Sequence, residues 1–467
     1  MGDIDSRIET DLTLLRDCPL FVAYNANVDA LVRVDEELEA FLDRPEDPPG
    51  EAAPPDRLSS KRDLATAITR SMAAGQGDEI AMSAELTTEL ASELVPDTRQ
   101  MGGQAGIMTN LLSTLGAAPI VYTYLLSETQ FSMFDHPDAV RFPRVEDGRV
   151  RFVPLGDAIE ADRTKTNWIF EFEDGTELFG VRAAADTRFI AASRPPEFDL
   201  TVDDLDPVVD QVGAAVDGAL LAGYHNLTRE NVQTDYEQVH RHARDVVRRL
   251  RSGGDLPVHI EYAVTHDHAL RRSLTDHVLP EADVIGLDTH ELQLLGRDLG
   301  VGSLSAGDGA ARRETVDGAP PILEHYRALT AVKDALGVPC VRMHAMEYHL
   351  AVTDEYLPPE AVRRGLEFAA INAAAKASRG HITAPEDLER GLAYEPSDAG
   401  ESAIESLADN VDASTRDGAL CTPTVVAVPN RVVEDPVGTV GIGDIVSSAS
   451  FALEVAVTRD RRGAGNG

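Results

Sequence analysis

The sequence predicts an α/β protein with a doubly wound, mostly parallel sheet, helices on both faces of that sheet, and a smaller β-rich domain. From Leu205 onward, apolar runs alternate with helical segments, as in GALLAGYHNL, LPVHIEY and ADVIGLDTHELQLLG, and such alternation is typical of βαβ units. Between residues 150 and 191 the pattern changes to short alternating strands, with Asp-Gly turns at residues 147–148 and 174–175. The 467 residues are enough for one large domain and one small one.

The chain is strongly acidic, and its acidic residues are evenly spread. It has 80 acidic and 42 basic residues, a formal net charge of −38, and only four lysines among the basic residues. Because the carboxylates lie between apolar segments along the whole chain and not in one run, they indicate a solvated acidic surface. We expect a high-salt setting, in which KCl screens the repulsion between carboxylates, and no nucleic-acid or anionic-membrane partner.

Cysteine usage and hydropathy bear on the cellular compartment. Cys18, Cys340 and Cys421 lie far apart without a CxxC motif, which indicates reduced thiols and argues against a zinc site. No apolar run approaches the roughly 20 residues that a membrane span needs, and no basic segment followed by an apolar one opens the chain. We expect a cytoplasmic, soluble protein that is a monomer or a small homo-oligomer.

Polar residues follow the first predicted strand. PLFVAY runs directly into NANVDALV, which places Asn25, Asn27 and Asp29 at the carboxyl end of that strand, where open α/β sheets bind ligands. These side chains could hold the hydroxyls of a polyol, or they could form an Asn-rich turn with a cap. Further on, MGGQAG opens a helix, and its glycines allow either close approach of the backbone to a ligand or tight packing between loop and helix.

A Gly-rich junction, GTVGIGDIVSS, spans residues 438–448. Glycines that turn backbone N–H groups toward one point, followed by a helix N-terminus, form an anion-binding site. A carboxylate inside such a site, Asp444, suggests a base that accepts the proton of an attacking hydroxyl. Asp after a Gly-rich turn is also a common helix N-cap, and the motif alone favours that simpler interpretation.

Two acidic pairs end later strands, His259 with Glu261 and Asp288 with Glu291. The first pair shares one face of an extended strand, and the second shares one face of an opening helix. A few carboxylates with retained water suit Mg²⁺ bridging to substrate phosphates. A strand-end histidine is more often structural, and each pair alone is more often structural than functional, but their joint position at predicted strand ends indicates one site.

Seven segments in this order resemble one family. YNANVDA, MGGQAGIMTNLL, AGYHNLT, HIEYA, GLDTHEL, RMHAMEYHL and GTVGIGD are similar to motifs of the ADP-dependent glucokinases and phosphofructokinases of the ribokinase-like superfamily. The resemblance covers about residues 19 to 455. It implies transfer of the β-phosphate of ADP to a sugar hydroxyl, leaving AMP. It also implies a large α/β domain, to which we assign residues 1–32, 100–145 and 195–467, and a lid, to which we assign 33–99 and 146–194.

The resemblance also implies residue roles. Asp444 would be the base, the backbone from Gly441 to Gly443 the anion hole, and Arg188 a lid arginine that reaches the nucleotide phosphates. Magnesium would be organised by Glu261, His259, Glu291 and Asp288, and the sugar would be contacted by Asn27, Asp29, Gly103, Gln104 and Glu79. The adenine pocket would be lined by His344, Tyr348 and Val440.

Some positions depart from the family pattern. Asp288 stands where the family has Asn, and the lid motif has Ala185 and Thr187 in place of arginine and asparagine. Glu79 resembles a glutamate that holds a glucose hydroxyl, whereas the cations Arg163, Lys165 and Arg182 could receive a sugar 6-phosphate, so glucose and fructose 6-phosphate both stay open. The alternatives are an ATP-dependent ribokinase-like sugar or nucleoside kinase, and a catalytically silent sugar- or nucleotide-binding member.

Overall fold

The computed structural model describes residues 2–198, 200–229, 232, 235–265, 267–301, 321–354 and 356–464. Within these ranges its strands are β1 (Pro19–Tyr24), β2 (Asn27–Arg33), β3 (Arg57–Leu58), β4 (Asp78–Met82), β5 (Thr98–Gly102), β6 (Ala118–Thr123), β7 (Arg141–Glu146), β8 (Arg149–Pro154), β9 (Thr166–Phe172), β10 (Glu177–Leu178), β11 (Val181–Arg182), β12 (Thr187–Ala192), β13 (Gly218–Ala222), β14 (Val258–Glu261), β15 (Val284–Asp288), β16 (Cys340–His344), β17 (Tyr348–Thr353), β18 (Thr415–Arg416), β19 (Ala419–Cys421) and β20 (Val425–Pro429).

The helices of the same ranges are α1 (Gly2–Leu15), α2 (Glu36–Phe41), α3 (Lys61–Ala74), α4 (Ala84–Glu93), α5 (Gln104–Thr114), α6 (Glu128–Phe131), α7 (Val209–Gly213), α8 (Tyr236–Arg251), α9 (His268–His277), α10 (Thr289–Leu299), α11 (Pro321–Leu336), α12 (Pro359–Arg379), α13 (Leu388–Leu392), α14 (Asp398–Asn410) and α15 (Ile442–Ala464). Among these described helices, none combines the length and the apolar character that crossing a bilayer requires.

A twelve-stranded sheet forms the larger domain, in the order β18-β19-β20-β17-β16-β15-β14-β13-β1-β6-β7-β8. The seven strands from β16 to β7 run parallel, and antiparallel strands extend both edges. Apart from β7 at the edge, the parallel strands are buried on both faces, because α8 to α11 cover one face and α1, α5, α12 and α15 cover the other. Near-continuous apolar runs are what such two-sided burial requires, and the predicted doubly wound fold is confirmed.

A six-stranded sheet forms the lid, in the order β3-β4-β12-β9-β2-β5. One face packs its apolar side chains, such as Val32, Trp168 and Phe189, against α3 and α4. The alternation of the strands turns the other residues to the opposite face, which carries Asp29 and Arg188. The lid therefore has one apolar face and one polar face.

Three predicted domain boundaries differ from the sheets. Residues 27–32 and 100–102 were assigned to the large domain but lie in β2 and β5 of the lid sheet. Residues 149–154 were assigned to the lid but form β8, which pairs antiparallel with β7 through the turn at Asp147 and Gly148. Alternating hydrophobicity identifies a strand without indicating which sheet the strand joins. Only two residues separate β1 from β2, so the sequence shows no break between the strand of one sheet and the strand of the other.

Candidate active site

The predicted residues meet above the carboxyl edge of the large sheet. Glu261, Asp288 and His344 end the neighbouring parallel strands β14, β15 and β16. The start of α15 lies against them, since a Cβ added to Gly443 would lie 2.7 Å from Nε2 of His344. The lid approaches at the start of α5, where a Cβ added to Gly103 would lie 2.7 Å from Oδ1 of Asn27. Segments far apart in sequence therefore converge on one cleft.

The Gly-rich junction forms the N-terminus of α15. Gly441 has a φ of +75°, in the left-handed region that favours glycine, and Gly443 has no room for a side chain beside His344. Because α15 begins at Ile442, Asp444 is its third residue and does not occupy the N-cap position that the motif alone favours. The first turn of a 23-residue helix therefore offers N–H groups next to a half-buried carboxylate.

The protonation of Asp444 is set by its surroundings. Burial raises its pKa well above the ordinary value, and Glu261 and Asp29 add to that rise. A hydrogen bond from Gln104 and the charge of Lys376 act in the opposite direction. A carboxylate with a raised pKa holds a proton more readily than an exposed one, which suits a group that must accept a hydroxyl proton.

A buried polar cluster lies where β1 passes into β2. Nδ2 of Asn27 donates to Oδ1 of Asp29 at 2.7 Å, and Nζ of Lys165 donates to Oδ1 of Asn27 at 3.1 Å. Burial raises the pKa of Asp29 to about 6, while Lys165 acts to lower it. The backbone N–H of Gly223, just after β13, donates to Oε1 of Gln104 at 2.9 Å. These contacts hold the side chains of the cluster in place, and amide and carboxyl groups of this kind can form hydrogen bonds with sugar hydroxyls.

Glu79 extends this cluster and forms an ion pair with Arg194. Burial acts to raise the pKa of Glu79, but Arg194 and then His225 outweigh it, and the pKa is lowered. Burial lowers the pKa of His225 to about 4 and that of Lys165 to about 7. The cluster thus brings the carboxyl groups of Asp29 and Glu79 together with an amine, a guanidinium and an imidazole.

Sequence reasoning missed Arg194 and His225. Arg194 comes two residues after the end of β12 and His225 three residues after the end of β13, so the attention to strand ends that pointed to Asn27 would also have found them. Of the three cations considered for a sugar phosphate, Lys165 alone lies in the cluster. Arg163 has a side chain that is 57% exposed and pairs with Glu197, and Arg182 belongs to the β10–β11 hairpin.

Arg188 lies on β12, on the polar face of the lid. Its partner across the strands is Glu171 of β9, and its charge acts to lower the pKa of Asp29. The lid arginine therefore faces the cleft, as the proposed contact with nucleotide phosphates requires.

The acidic pairs are closely spaced but already bonded. Asp288 and Glu291 form a capping box at the start of α10, each side chain accepting a hydrogen bond from the other's backbone at 2.7 Å. Nε2 of His259 bonds Oε2 of Glu261 at 2.9 Å, and its side chain is fully buried. His259 thus orients Glu261, and its part in organising magnesium stays a prediction.

These carboxylates also repel one another. Burial raises the pKa of Glu261 to about 7 and that of Glu291 well above the ordinary value, and Asp288 adds to both shifts. In the described part of the chain, no three His, Cys, Asp or Glu side chains are arranged to hold a metal directly. Clustered carboxyl groups that already take part in hydrogen bonds fit a cation bound through retained water, as Mg²⁺ commonly is.

The three residues predicted to line the adenine pocket do not lie in one place. His344 lies beside Gly443 and next to the anion-binding turn, and Val440 is half-buried in that turn. Tyr348 is only 5% exposed, and its hydroxyl bonds Nδ1 of His325 at 2.7 Å. The structure thus corrects the prediction for Tyr348, because its ring packs in the hydrophobic core and its hydroxyl is already bonded.

The fold and the site define a ribokinase-like phosphotransferase with an alcohol acceptor. A polar cluster that suits a sugar lies near a helix N-terminus that suits a phosphate, and the carboxyl group of Asp444 in that first turn is hydrogen-bonded by Gln104. The chain belongs to the ADP-specific phosphofructokinase/glucokinase family, whose conserved region matches residues 19–453.

Relatives match along nearly the whole chain. The ADP-specific phosphofructokinase of Thermococcus zilligii is 31% identical, over 96% of this chain and 97% of its own. The ADP-dependent glucose/glucosamine kinase of Pyrococcus furiosus is 28% identical, over 94% of each chain. A solved ADP-dependent kinase in complex with fructose 6-phosphate and ADPβS has a TM-score of 0.78 and 28% identity, with 97% of each chain covered.

Proposed function

We propose that this protein transfers the β-phosphate of ADP to a hydroxyl of fructose 6-phosphate, and also of glucose, and releases AMP. The observation that carries the proposal is the position of Asp444 in the first turn of α15, bonded by Gln104 and within the electrostatic influence of Asp29. The sugar oxygen attacks the β-phosphorus and forms a new P–O bond, the bond to the oxygen that stays with AMP breaks, and the hydroxyl proton passes to Asp444. The helix N-terminus and the N–H groups near Gly441 stabilise the phosphate charge.

Both acceptors are supported by the cluster that contains Asp29. Lys165 and Arg194 are cations that suit the phosphate of fructose 6-phosphate, which is bound in the solved relative. The carboxylate of Glu79 suits a sugar hydroxyl, and a kinase of glucose and glucosamine is among the relatives. The ion pair between Glu79 and Arg194 places both recognition groups at one point.

We further propose that the enzyme uses Mg²⁺, held through water by Glu261, Glu291 and Asp288. Bound there, the ion would neutralise charge on the ADP phosphates. The support is the mutual repulsion of these carboxylates. A cytoplasmic location and a monomeric or small oligomeric state stay predictions from composition.

Phosphorus NMR with ADP or ATP as the sole donor tests the reaction. We expect ADP to give AMP and sugar phosphate; turnover of ATP with no AMP formed from ADP would instead support the ATP-dependent alternative. Asp444→Asn keeps the shape of the side chain and should lower phosphoryl transfer by about 10² to 10⁴-fold, the usual contribution of a positioned base. Asp460→Asn makes the same change at the exposed far end of α15 and should keep full activity.

A measurement of sugar binding distinguishes an active kinase from a catalytically silent binding protein. Asp444→Asn should bind sugar with wild-type affinity, because it retains the Asn27 and Asp29 contacts. A wild-type protein that binds sugar and ADP without producing AMP would be the catalytically silent member. An Asp444→Asn variant as active as the wild type would contradict the assignment of Asp444 as the base.

A further inference from the structure

An arginine and a glutamate form a buried ion pair in the core behind the cleft. The side chain of Arg342, on β16, is 3% exposed, and that of Glu454, on α15, is fully buried. Nη2 of Arg342 donates to Oε2 of Glu454 at 2.8 Å, and Nη1 donates to Oγ of Ser450, one turn earlier on the helix, at 2.7 Å. These residues belong neither to the sugar cluster nor to the acidic pairs, and the reaction proposed above makes no use of them.

Stability alone does not account for this pair. Two charges taken out of water lose their hydration, and their attraction offsets that loss only when their other hydrogen bonds are also made. Among the described residues, neither Nε of Arg342 nor Oε1 of Glu454 has a hydrogen-bond partner. Well-packed apolar side chains of similar volume are often as stable or more stable in such a place. What the pair does provide is direction, because a planar guanidinium with two acceptors allows one arrangement of them.

The buried part of α15 has few other features that fix its position. Residues 445–457 are all buried, and six of them are small: Ser447, Ser448, Ala449, Ser450, Ala452 and Ala456. Small side chains form shallow ridges, so their packing restricts movement along the helix axis less than large side chains do. The other ion pair of α15 joins Arg459 to Asp217 at its far end, where the side chains are 38% and 32% exposed. Arg342 therefore makes the buried polar contact that locates this helix.

The ion pair lies where α15 is held between two other elements. On α12, a Cβ added to Gly365 would lie 2.7 Å from the carbonyl oxygen of Ser450, so α12 presses this turn of the helix toward Arg342. Two residues further along β16, His344 faces the same side of the strand. Its ring lies against Gly443 at the start of the helix. The same strand thus contacts α15 twice, at the ion pair and at the anion-binding turn.

We propose that Arg342 is a positioning residue for phosphoryl transfer: with Glu454 and Ser450 it fixes α15 along its axis, so that Asp444 and the first turn meet the transferred phosphate. The inference rests on the proposed function. Ten residues separate Asp444 from Glu454, about 15 Å of continuous helix, and a shift at one end is passed to the other. A displacement of about 1 Å at reacting groups can lower a rate by about 10²-fold. An apolar pair would fill the same space without defining one position.

The double variant Arg342→Met/Glu454→Leu tests the proposal, because it replaces the ion pair with apolar side chains. Its melting temperature should equal or exceed that of the wild type. Its kcat with ADP and sugar should nevertheless fall by about 10 to 100-fold, while KM for the sugar changes by less than about three-fold, since the sugar contacts lie on other elements. A pair that only stabilised the fold would give the reverse, a lower melting temperature with wild-type kcat.

Glu454→Gln separates position from charge. Glutamine keeps the length of the side chain and an oxygen acceptor, so Arg342 can still hold the helix, but the buried guanidinium loses its counter-charge. We expect a lower melting temperature with kcat within about three-fold of the wild type. The matched control is Arg364→Met/Asp11→Leu, which removes a largely buried pair between α12 and α1 and should keep wild-type kcat.

Amide hydrogen exchange supplies a measurement that does not depend on activity. In the double variant, residues 442–450 should exchange faster than in the wild type, with the sheet strands unchanged. Wild-type kcat, unchanged exchange or failure to fold in the double variant would each overturn the role of Arg342. So would an equal loss of kcat in Glu454→Gln, because charge and not position would then be responsible. A wild-type protein that forms no AMP from ADP would contradict the proposed function, and the exchange result would still decide whether Arg342 positions α15.

Discussion

The ion pair between Glu79 and Arg194 gives a direct test of how the enzyme distinguishes its acceptors. The side chain of Glu79 is 36% exposed and that of Arg194 is 10% exposed. Because the guanidinium of Arg194 is largely removed from water, its hydrogen bonds, including one to a sugar phosphate, are stronger than those on the surface. A hydrogen bond between charged groups contributes about 1.5–3 kcal/mol. Arg194→Met should therefore lower kcat/KM for fructose 6-phosphate by about 10 to 150-fold.

The same change should have the opposite consequence for glucose. Glu79 loses its competing partner and becomes available to a sugar hydroxyl, so we expect kcat/KM for glucose to stay the same or to rise. Glu79→Gln removes the charged acceptor but keeps the size of the side chain. It should lower kcat/KM for glucose by a similar factor of about 10 to 150, with little effect on fructose 6-phosphate.

The assay is a coupled measurement of AMP with each sugar at saturating ADP and Mg²⁺. Arg163→Met is the control, because this nearby arginine is exposed and pairs with Glu197 outside the cluster. Equal losses on both sugars in Arg194→Met and Glu79→Gln would refute the reasoning, since they would mean that the pair supports the lid and does not discriminate between substrates.

Two other predictions concern ions. Glu261→Gln should raise the Mg²⁺ concentration required for half-maximal rate, measured by titration at fixed ADP. The same change should raise the melting temperature or leave it unchanged, because a buried, mutually repelled carboxylate is removed; an unchanged Mg²⁺ requirement would contradict the site. The wild-type melting temperature should rise from dilute buffer to 2 M KCl, because salt screens the repulsion within a chain of net charge −38; a fall would show that this repulsion does not limit stability.

Much of the site could be predicted because its residues follow strands. PLFVAY, LPVHIEY and ADVIGL are read as buried strands from hydrophobicity alone, and parallel strands bring their carboxyl ends to one edge. Asn27, Glu261, Asp288 and Asp444 therefore required no long-range information beyond the fold class. The Gly-rich turn was equally accessible, since a φ of +75° at Gly441 needs glycine.

What the sequence did not contain is which partner each side chain meets. The pairing of Arg194 with Glu79 joins residues 115 positions apart, and nothing local to either residue indicates the other. The inward turn of Tyr348 depends on α11, whose His325 accepts or donates the bond to its hydroxyl. The assignment of β8 to the large sheet likewise depends on the edge that β7 leaves open.

Charge placement explains how so acidic a chain can receive two anions. A net charge of −38 would oppose the approach of ADP and a sugar phosphate. Four basic side chains near the cleft oppose this repulsion, and all are half-buried or buried: Lys165, Arg188, Arg194 and Lys376. Buried charges are screened far less by salt than exposed ones. Salt that weakens repulsion over the outer surface therefore leaves the attraction inside the cleft largely intact, so an acidic exterior and an anion-binding interior work under the same conditions.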